Sequence, residues 1–296
     1  MKTTAVLTPS RPVAQHAARS RRRPPLRQLS TFLVAIAGIA VLLYPAAATW
    51  FTAQAQASVL DSYAGAAEQL PDEQITALRD AAIAYNDQLA PGLLRDPYSA
   101  ATGADDEAED YFRLLRVPGT DVMGELSIPE IGVDLPILHG TSNAALDRGA
   151  GHLFGSSLPV GGPGTHAVLT AHAGLPHASM LTRLSELHEG DRFEVTVLGE
   201  TLTYEVDSLR IVRPDDISEL TIIPGEDIVT LITCTPINVN THRLLVRGVR
   251  VDPEQTTAQH VSAHGTPDFP WWLLLFITAT TAVGILVFRR RAGPRA

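Results

Sequence analysis

The chain has 296 residues, 45% of them hydrophobic, and a formal net charge of −9. Part of the apolar material is concentrated near the two ends, so about 200 residues remain for a single water-soluble domain. All 32 acidic residues lie between the two apolar ends, against 12 of the 23 basic residues, and this strongly acidic part excludes a nucleic acid as the partner.

Two apolar segments near the ends predict membrane helices. Residues 32–43, continuing to 51, follow a run of arginines, and residues 271–288 end at three arginines. Each segment is near the roughly 20 residues that a helix needs to cross a bilayer. Because basic residues favour the cytoplasmic side, we predict that both termini are cytoplasmic and that the domain between them lies outside the cell membrane. The alternative for the first segment is a cleaved secretory signal, since small residues at 53–57 offer cleavage sites.

Two helices and a long loop are predicted next. Residues 53–89 are rich in Ala, Gln, Leu and Asp and are interrupted only by Pro71. Pro71 followed by Asp72 and Glu73 indicates the start of the second helix, with the proline at its first position and the acids near the positive end of its dipole. Residues 91–121 then predict a loop with an acidic run, and loops of such length are often functional or disordered.

Residues 123–251 have the pattern of a β-domain. Short apolar runs are separated by Gly, Pro and Asn, which is typical of an all-β barrel or sandwich. Residues 180–187 predict a short helix between strands. The predicted strands are 124–128, 133–137, 166–171, 192–197, 202–211, 227–233 and 243–251.

The chain has one cysteine, Cys234, and therefore no intramolecular disulfide, although exported domains normally use cysteines in pairs. A free cysteine is more often a small buried residue than a reactive one. Cys234, however, ends a β-branched run and is followed by Thr235 and Pro236, and proline stops a strand ladder. The thiol is therefore predicted at a strand end beside a loop, where a substrate can reach it.

A thiol needs a nearby base or cation to be a useful nucleophile at neutral pH. Spacing alone does not choose among the histidines, but His172 closes the apolar run 167–171 and precedes Gly174, so it too is predicted at a strand end. The others are predicted to have surface or hydrogen-bonding roles; they are His139, His152, His166, His177, His188 and His242.

Arg243 follows Cys234 by nine residues and opens another apolar run. If the two runs are adjacent antiparallel strands, Cys234 and Arg243 lie opposite each other across the ladder. An arginine there could lower the thiol pKa and hold the oxyanion that forms when the thiol attacks a carbonyl. The alternative is an arginine that starts a strand and faces water.

The motifs around these residues resemble those of the sortase family of Gram-positive bacteria. Residues 230–236 read Thr-Leu-Ile-Thr-Cys-Thr-Pro, and residues 240–248 read Asn-Thr-His-Arg-Leu-Leu-Val-Arg-Gly, similar to the family's Thr-Leu-x-Thr-Cys followed by the catalytic arginine. Residues 165–174 resemble its histidine motif, and the resemblance also includes residues 151–153 and 157–162.

The resemblance implies a mainly β fold, a closed sortase-type β-barrel of about eight strands. It also implies a catalytic set in which Cys234 is the nucleophile, His172 the general acid and base, and Arg243 the group that stabilises the oxyanion. The chain also resembles class C of the family, the pilus-associated sortases. Members of this class have a C-terminal membrane anchor and a lid before the barrel. The run from Asp96 to Tyr98, Asp-Pro-Tyr, resembles that lid.

In the family pattern the lid acid pairs with the catalytic arginine and the aromatic residue covers the thiol, so Asp96 would meet Arg243 and Tyr98 would rest on Cys234. An ordinary turn is the alternative for Asp-Pro-Tyr. One departure from class C is that residues 237–240 read Ile-Asn-Val-Asn where Tyr-Gly-Ile-Asn is frequent.

The activity that the resemblance implies is that of a cysteine transpeptidase without metal or cofactor. It would cleave a Leu-Pro-x-Thr-Gly-like sorting signal between Thr and Gly through a thioester on Cys234, and transfer the product to a pilin lysine amine. The partners would be pilins or surface proteins with such signals, and the membrane.

Two alternatives remain. One is a housekeeping sortase that anchors surface proteins to a peptidoglycan precursor. The other is a non-enzymatic cell-surface protein, which should carry the sorting signal before its second apolar segment; residues 265–269 read Gly-Thr-Pro-Asp-Phe instead.

The predicted domain organisation has seven parts, from one basic tail to the other. These are a cytoplasmic tail (1–30), a transmembrane helix or signal segment (31–52), a helical region with the lid loop (53–122), the catalytic β-barrel (123–252), a linker (253–268), a second transmembrane helix (269–288) and a cytoplasmic tail (289–296).

Overall fold

The structure, a computed structural model, describes residues 26–89, 110–251 and 269–289. The predicted lid residues Asp96 and Tyr98 lie outside these ranges, as do most of the predicted tails and the linker.

Eight strands form a closed barrel, in the order β1-β2-β3-β4-β7-β8-β6-β5. Neighbours are antiparallel except for β2–β3 and β4–β7, which are parallel. The prediction of a mainly β fold with a closed barrel of about eight strands is confirmed. The strands are β1 (Val122–Ile128), β2 (Val133–His139), β3 (Ala150–His152), β4 (Thr165–Thr170), β5 (Arg192–Val197), β6 (Glu200–Val212), β7 (Asp227–Thr235) and β8 (His242–Arg250).

Strand β7 pairs with β4 on one side and with β8 on the other, and it is buried on both of its faces. Val229 and Leu231 pack into the main core, whereas Ile232 belongs to a second apolar cluster that contains Leu220. A strand that is buried on both sides needs a nearly continuous apolar sequence, and this explains why residues 228–232 read Ile-Val-Thr-Leu-Ile.

Four helices lie entirely within the residues that the structure describes: α1 (Leu26–Glu68), α2 (Asp72–Asp87), α3 (Asn143–Leu146) and α4 (Trp271–Phe288). Helices α1 and α4 are long and apolar enough to cross a membrane. The chain divides into two compact units, and the larger one, Leu43–Leu274, contains the barrel, α2, α3 and the C-terminal half of α1.

Buried polar contacts join the helices of the larger unit to the barrel. The Tyr63 hydroxyl of α1 donates to the Met123 carbonyl (2.9 Å) and accepts from the Leu198 amide (2.9 Å). Asn86 of α2 makes two hydrogen bonds with Leu158: its side-chain N–H donates to the Leu158 carbonyl (3.1 Å), and its Oδ1 accepts from the Leu158 backbone N–H (2.7 Å). A buried polar group costs stability unless it is hydrogen-bonded, so these pairs fix how each helix packs.

The structure differs in four details from the sequence expectations. The first helix of the region 53–89 is not separate, because α1 continues through this region from the apolar segment. Pro71 is the residue before α2 rather than its first residue. The helix expected at 180–187 is only a 3-10 turn, Leu184–Glu186, and strand β3 was not predicted.

Candidate active site

Cys234 and Arg243 lie opposite each other on β7 and β8, as the hairpin prediction required. Cys234 is partly buried and is the second-last residue of its strand. The ladder ends at Thr235, since Pro236 has no N–H to continue it. The thiol and the guanidinium therefore belong to the same end of the barrel.

The Arg243 residue is buried, with 8% of its surface exposed, so the water-facing alternative is wrong. Its Nη1 donates to the carbonyl oxygens of Asn240 (3.1 Å) and His242 (3.2 Å). Arg243 is therefore oriented by the backbone of the β7–β8 loop that begins beside Cys234.

The parallel pairing of β4 with β7 brings His172 to the same end. The register pairs Thr170 with Ile232. It continues one step further, because the Ala171 amide donates to the Ile232 carbonyl (3.2 Å) and the Thr233 hydroxyl donates to the Ala171 carbonyl (2.8 Å). His172 is the next residue of the chain and therefore lies at the same end of the barrel as Cys234.

Asp147 is the acidic residue nearest to the His172 ring among the described ion pairs, with 4.0 Å between Oδ1 and Nε2. Burial lowers the pKa of His172 below its usual value, the Asp147 carboxylate opposes that shift, and His177 adds to it. The net direction is downward, so the imidazole is more readily neutral than a histidine in water.

The turn after His172 packs against the β7–β8 loop. Gly174 has φ +76°, and a Cβ there would lie 2.3 Å from Cγ2 of Ile237. In that loop Asn238 and Asn240 also have positive φ, 67° and 59°, a conformation that Asn tolerates better than most residues. The loop Ile-Asn-Val-Asn, which departs from the class C pattern, is thus seated on the glycine of the histidine motif.

Gly174→Ala is expected to lower the free energy of unfolding by about 2 kcal/mol, because it combines a strained φ with a steric clash. Denaturant unfolding measures this change. Gly190→Ala is the matched control, since Gly190 has φ +94° and nothing within 4 Å of its Cβ position. The double variant Gly174→Ala/Ile237→Ala should recover the difference between the two. Equal losses for Gly174→Ala and Gly190→Ala would show that Ile237 does not press on this turn.

A buried polar cluster surrounds Tyr111 and His152, the last residue of β3. The Tyr111 hydroxyl is 2.9 Å from Nδ1 of His152 and accepts from the Gly140 amide (3.0 Å). Nε2 of His152 lies 2.8 Å from the Ser157 carbonyl, which assigns the ring proton to Nε2 and makes Nδ1 an acceptor. Burial is the main cause that lowers the pKa of His152 to about 4. This histidine is neutral and structural.

His139, His166, His188 and His242 have the surface or hydrogen-bonding roles predicted for them, whereas the half-buried His177 contributes its backbone carbonyl to a hydrogen bond with Thr52. His166 is buried, with Nε2 2.7 Å from the Thr230 hydroxyl, and His139 bonds to the Leu114 carbonyl. His188 and His242 are exposed. Among the described residues no group of three or more His, Cys, Asp and Glu side chains could hold a metal ion.

Of the predicted site residues, the structure brings three to one end of the barrel: Cys234, Arg243 and His172. Asp96 and Tyr98 lie outside the described residues, and their contacts stay a prediction. Asp147 was not predicted, because no local pattern marks it. It follows a four-residue helix, and its approach to His172 depends entirely on tertiary packing.

Comparison with known proteins agrees with this fold. Residues 126–251 match the family model of the sortase domain. Sortase D of Bacillus subtilis (strain 168) is 33% identical over 113 residues, which are 38% of this chain and 54% of that relative. Sortase A of Streptococcus agalactiae serotype III (strain NEM316) is 29% identical over 117 residues, 38% of this chain and 47% of that relative. The chain thus spans about half the length of the curated relatives it matches.

Solved structures are similar over more of the chain. Sortase C-1 from Actinomyces oris is 46% identical, with a TM-score of 0.59, and the match covers 61% of this chain and 99% of that one. The pilus-related sortase C of Group B Streptococcus is 44% identical, with a TM-score of 0.60, and the match covers 65% and 96%. The chain belongs to the sortase family, and its resemblance to class C is confirmed by these neighbours.

Proposed function

We propose that the chain is a membrane-anchored cysteine transpeptidase in which Cys234 is the nucleophile, His172 the general acid and base, and Arg243 the oxyanion-stabilising group. The observation that supports this most is the strand register. β7 pairs with β8 on one side and with β4 on the other, and the two registers together bring Cys234, Arg243 and His172 to one end of the barrel.

The reaction begins when the Cys234 thiol gives its proton to the neutral His172 imidazole and the resulting thiolate attacks the Thr carbonyl of the Thr-Gly bond in a sorting signal. Arg243 stabilises the negative oxygen of the tetrahedral intermediate. When the C–N bond breaks, His172 gives a proton to the departing glycine amine, and a thioester to Thr remains. An incoming amine loses its proton to His172, attacks the thioester and releases the Cys234 thiolate. General acid–base catalysis of this kind contributes roughly 100- to 10,000-fold.

The finer proposal is that the incoming amine is a pilin lysine, so that pilins are polymerised. It is supported by the similarity to a sortase C described as pilus-related and by the C-terminal apolar helix α4. A housekeeping sortase that uses a peptidoglycan precursor would employ the same three residues, so the catalytic residues alone do not distinguish the two, and the identity of the acceptor amine is the direct test.

The membrane arrangement is part of the proposal. Helices α1 and α4 would cross the cell membrane, with both termini cytoplasmic and residues 53–268 outside, in the domain order predicted from the sequence. A protease added outside intact cells should cleave a site inserted into the linker 253–268. If the protease cleaves that site only after the cells are lysed, this orientation is wrong.

Mass spectrometry of the full-length chain in detergent, incubated with a Leu-Pro-x-Thr-Gly peptide, tests the transpeptidase. We expect an adduct of the peptide up to Thr, confined to Cys234 and absent from Cys234→Ala; the chain has no other cysteine. A pilin domain with an exposed lysine should then remove the adduct faster than a peptidoglycan-precursor amine. The reverse preference would favour a housekeeping sortase, and the lack of any adduct would favour a non-enzymatic surface protein.

A further inference from the structure

Two loops meet beside the His172 imidazole. One follows α3 and carries Asp147, whose carboxylate is 4.0 Å from Nε2 of His172. The other connects β4 with β5, carries His172 itself, and returns at Leu181, whose amide donates to the His172 carbonyl (3.0 Å). A separation of 4.0 Å is an ion-pair distance rather than a hydrogen bond. The strength of this ion pair therefore depends on how firmly the two loops are fixed relative to each other.

Helix α1 holds both loops through adjacent turns. The Gln56 side chain donates to the carbonyl of Arg148, the neighbour of Asp147 (3.1 Å), and lies 3.3 Å from Sδ of Met180 in the His172 loop. One turn earlier, the Thr52 hydroxyl donates to the His177 carbonyl (2.8 Å). The part of α1 that directly follows its apolar segment therefore contacts the two loops whose spacing sets the Asp147–His172 distance.

The local charges favour this pairing. Arg148, next to Asp147 in sequence, pairs through both terminal nitrogens with Asp121, so its guanidinium is directed to another carboxylate. The charged side chains that shift the pKa of His172 are Asp147 from the loop after α3 and His177 from its own loop. Cys234 and Arg243, on β7 and β8, belong to the same end of the barrel. Asp147 is the only acid in this described set.

We propose that Asp147 is a positioning residue for His172, and that Gln56 of α1 fixes the spacing of the loops that carry these two residues. The inference rests on the proposed role of His172 as general acid and base. The carboxylate orients the imidazole and stabilises its protonated form at the moment when the glycine amine must receive a proton. The helix that leaves the membrane would thereby be a structural part of the active site.

Asp147→Asn in the full-length chain tests the first half. We expect kcat for the sorting peptide to fall about tenfold with little change in KM, and the pH inflection set by His172 to move to lower pH, because the variant lacks the charge that raises this pKa. Asp147→Glu, which keeps the charge, should restore the inflection. Asp80→Asn, at an exposed acid of α2, is the control and should change neither quantity.

Histidine ¹³C NMR of the full-length chain in micelles measures the His172 pKa without relying on activity, with His172→Gln to assign the signal. An unchanged His172 pKa in Asp147→Asn overturns the proposal, whatever happens to kcat. If wild-type enzyme formed no thioester, the transpeptidase proposal would fail, while the titration would still decide whether Asp147 acts on His172.

Gln56→Ala tests the second half. We expect it to lower the His172 pKa in the same direction as Asp147→Asn, with a smaller fall in kcat, because the carboxylate is retained but less well placed. Gln54→Ala is the matched control, since Gln54 lies on the same helix and is exposed. Equal His172 pKa values in Gln56→Ala and Gln54→Ala would show that α1 does not set the spacing.

Discussion

Arg243→Lys is expected to lower the rate of thioester formation by about 100-fold, as loss of an oxyanion donor does in other acyl-transfer enzymes. The guanidinium is planar, and its Nη1 is fixed by the carbonyls of Asn240 and His242. A lysine ammonium is a compact charge on a flexible stem, so it cannot keep these contacts and present a second donor beside Cys234. The rate is measured by rapid quenching and mass spectrometry of the Cys234 adduct.

Arg247→Lys is the matched control for this prediction. Arg247 lies four residues further along β8 and pairs through Nε and Nη2 with Asp207, away from the Cys234–Arg243 pair. Arg247→Lys should form the thioester at the wild-type rate. A wild-type rate in Arg243→Lys would remove this arginine from the mechanism, and equal losses in both variants would indicate damage to β8 rather than a missing oxyanion donor.

The hairpin that carries Cys234 and Arg243 was predictable because its information is local. A β-branched run, a proline and a second apolar run fix the strands β7 and β8, and the loop length between them fixes the register. The same reasoning could not find β3, whose three residues read Ala-Gly-His. They have little β-propensity, and they form a strand only because β2 and β4 pair with them.

His172 was predicted from its place at a strand end, but Asp147, whose charge raises the pKa of His172, was not. Asp147 lies 25 positions earlier in a loop whose path depends on packing against α1. The extent of α1 was also missed: Pro45 lies inside the helix, and the sequence reading treated the region from 53 as a new helix. Side-chain contacts between elements far apart in sequence leave no periodic signal.

Lowering the pH from 6.5 to 4 is expected to remove on the order of 3 kcal/mol of stability through His152 alone, at about 1.4 kcal/mol for each pKa unit. The folded pKa is lowered to about 4 because the ring is buried, whereas the unfolded chain binds the proton near 6.5. As the pH falls, only the unfolded state gains this proton, so stability is present above pH 6.5 and lost on the way to pH 4. Below that value both states are protonated and the loss stops.

Denaturant unfolding at a series of pH values measures this loss. Burial also lowers the pKa of His139, His166 and His172, so the wild-type curve combines four histidines. The difference between wild type and His152→Gln isolates one of them, because glutamine does not titrate. His188→Gln is the control, since that side chain is 84% exposed, and its pH dependence should match that of wild type.

Tyr111→Phe should also change the pH dependence of stability, because it alters the partner of His152 rather than His152 itself. It removes the hydroxyl that contacts Nδ1 and the carbonyl oxygen of His152 and accepts from the Gly140 amide, and leaving the buried Nδ1 without a partner costs about 1 to 3 kcal/mol at neutral pH. Protonation of Nδ1 would no longer break a hydrogen bond, so the pH dependence of this variant should be shallower than that of wild type. A parallel pH curve, displaced only in stability, would mean that the hydroxyl does not hold His152 neutral and that burial of the ring is sufficient.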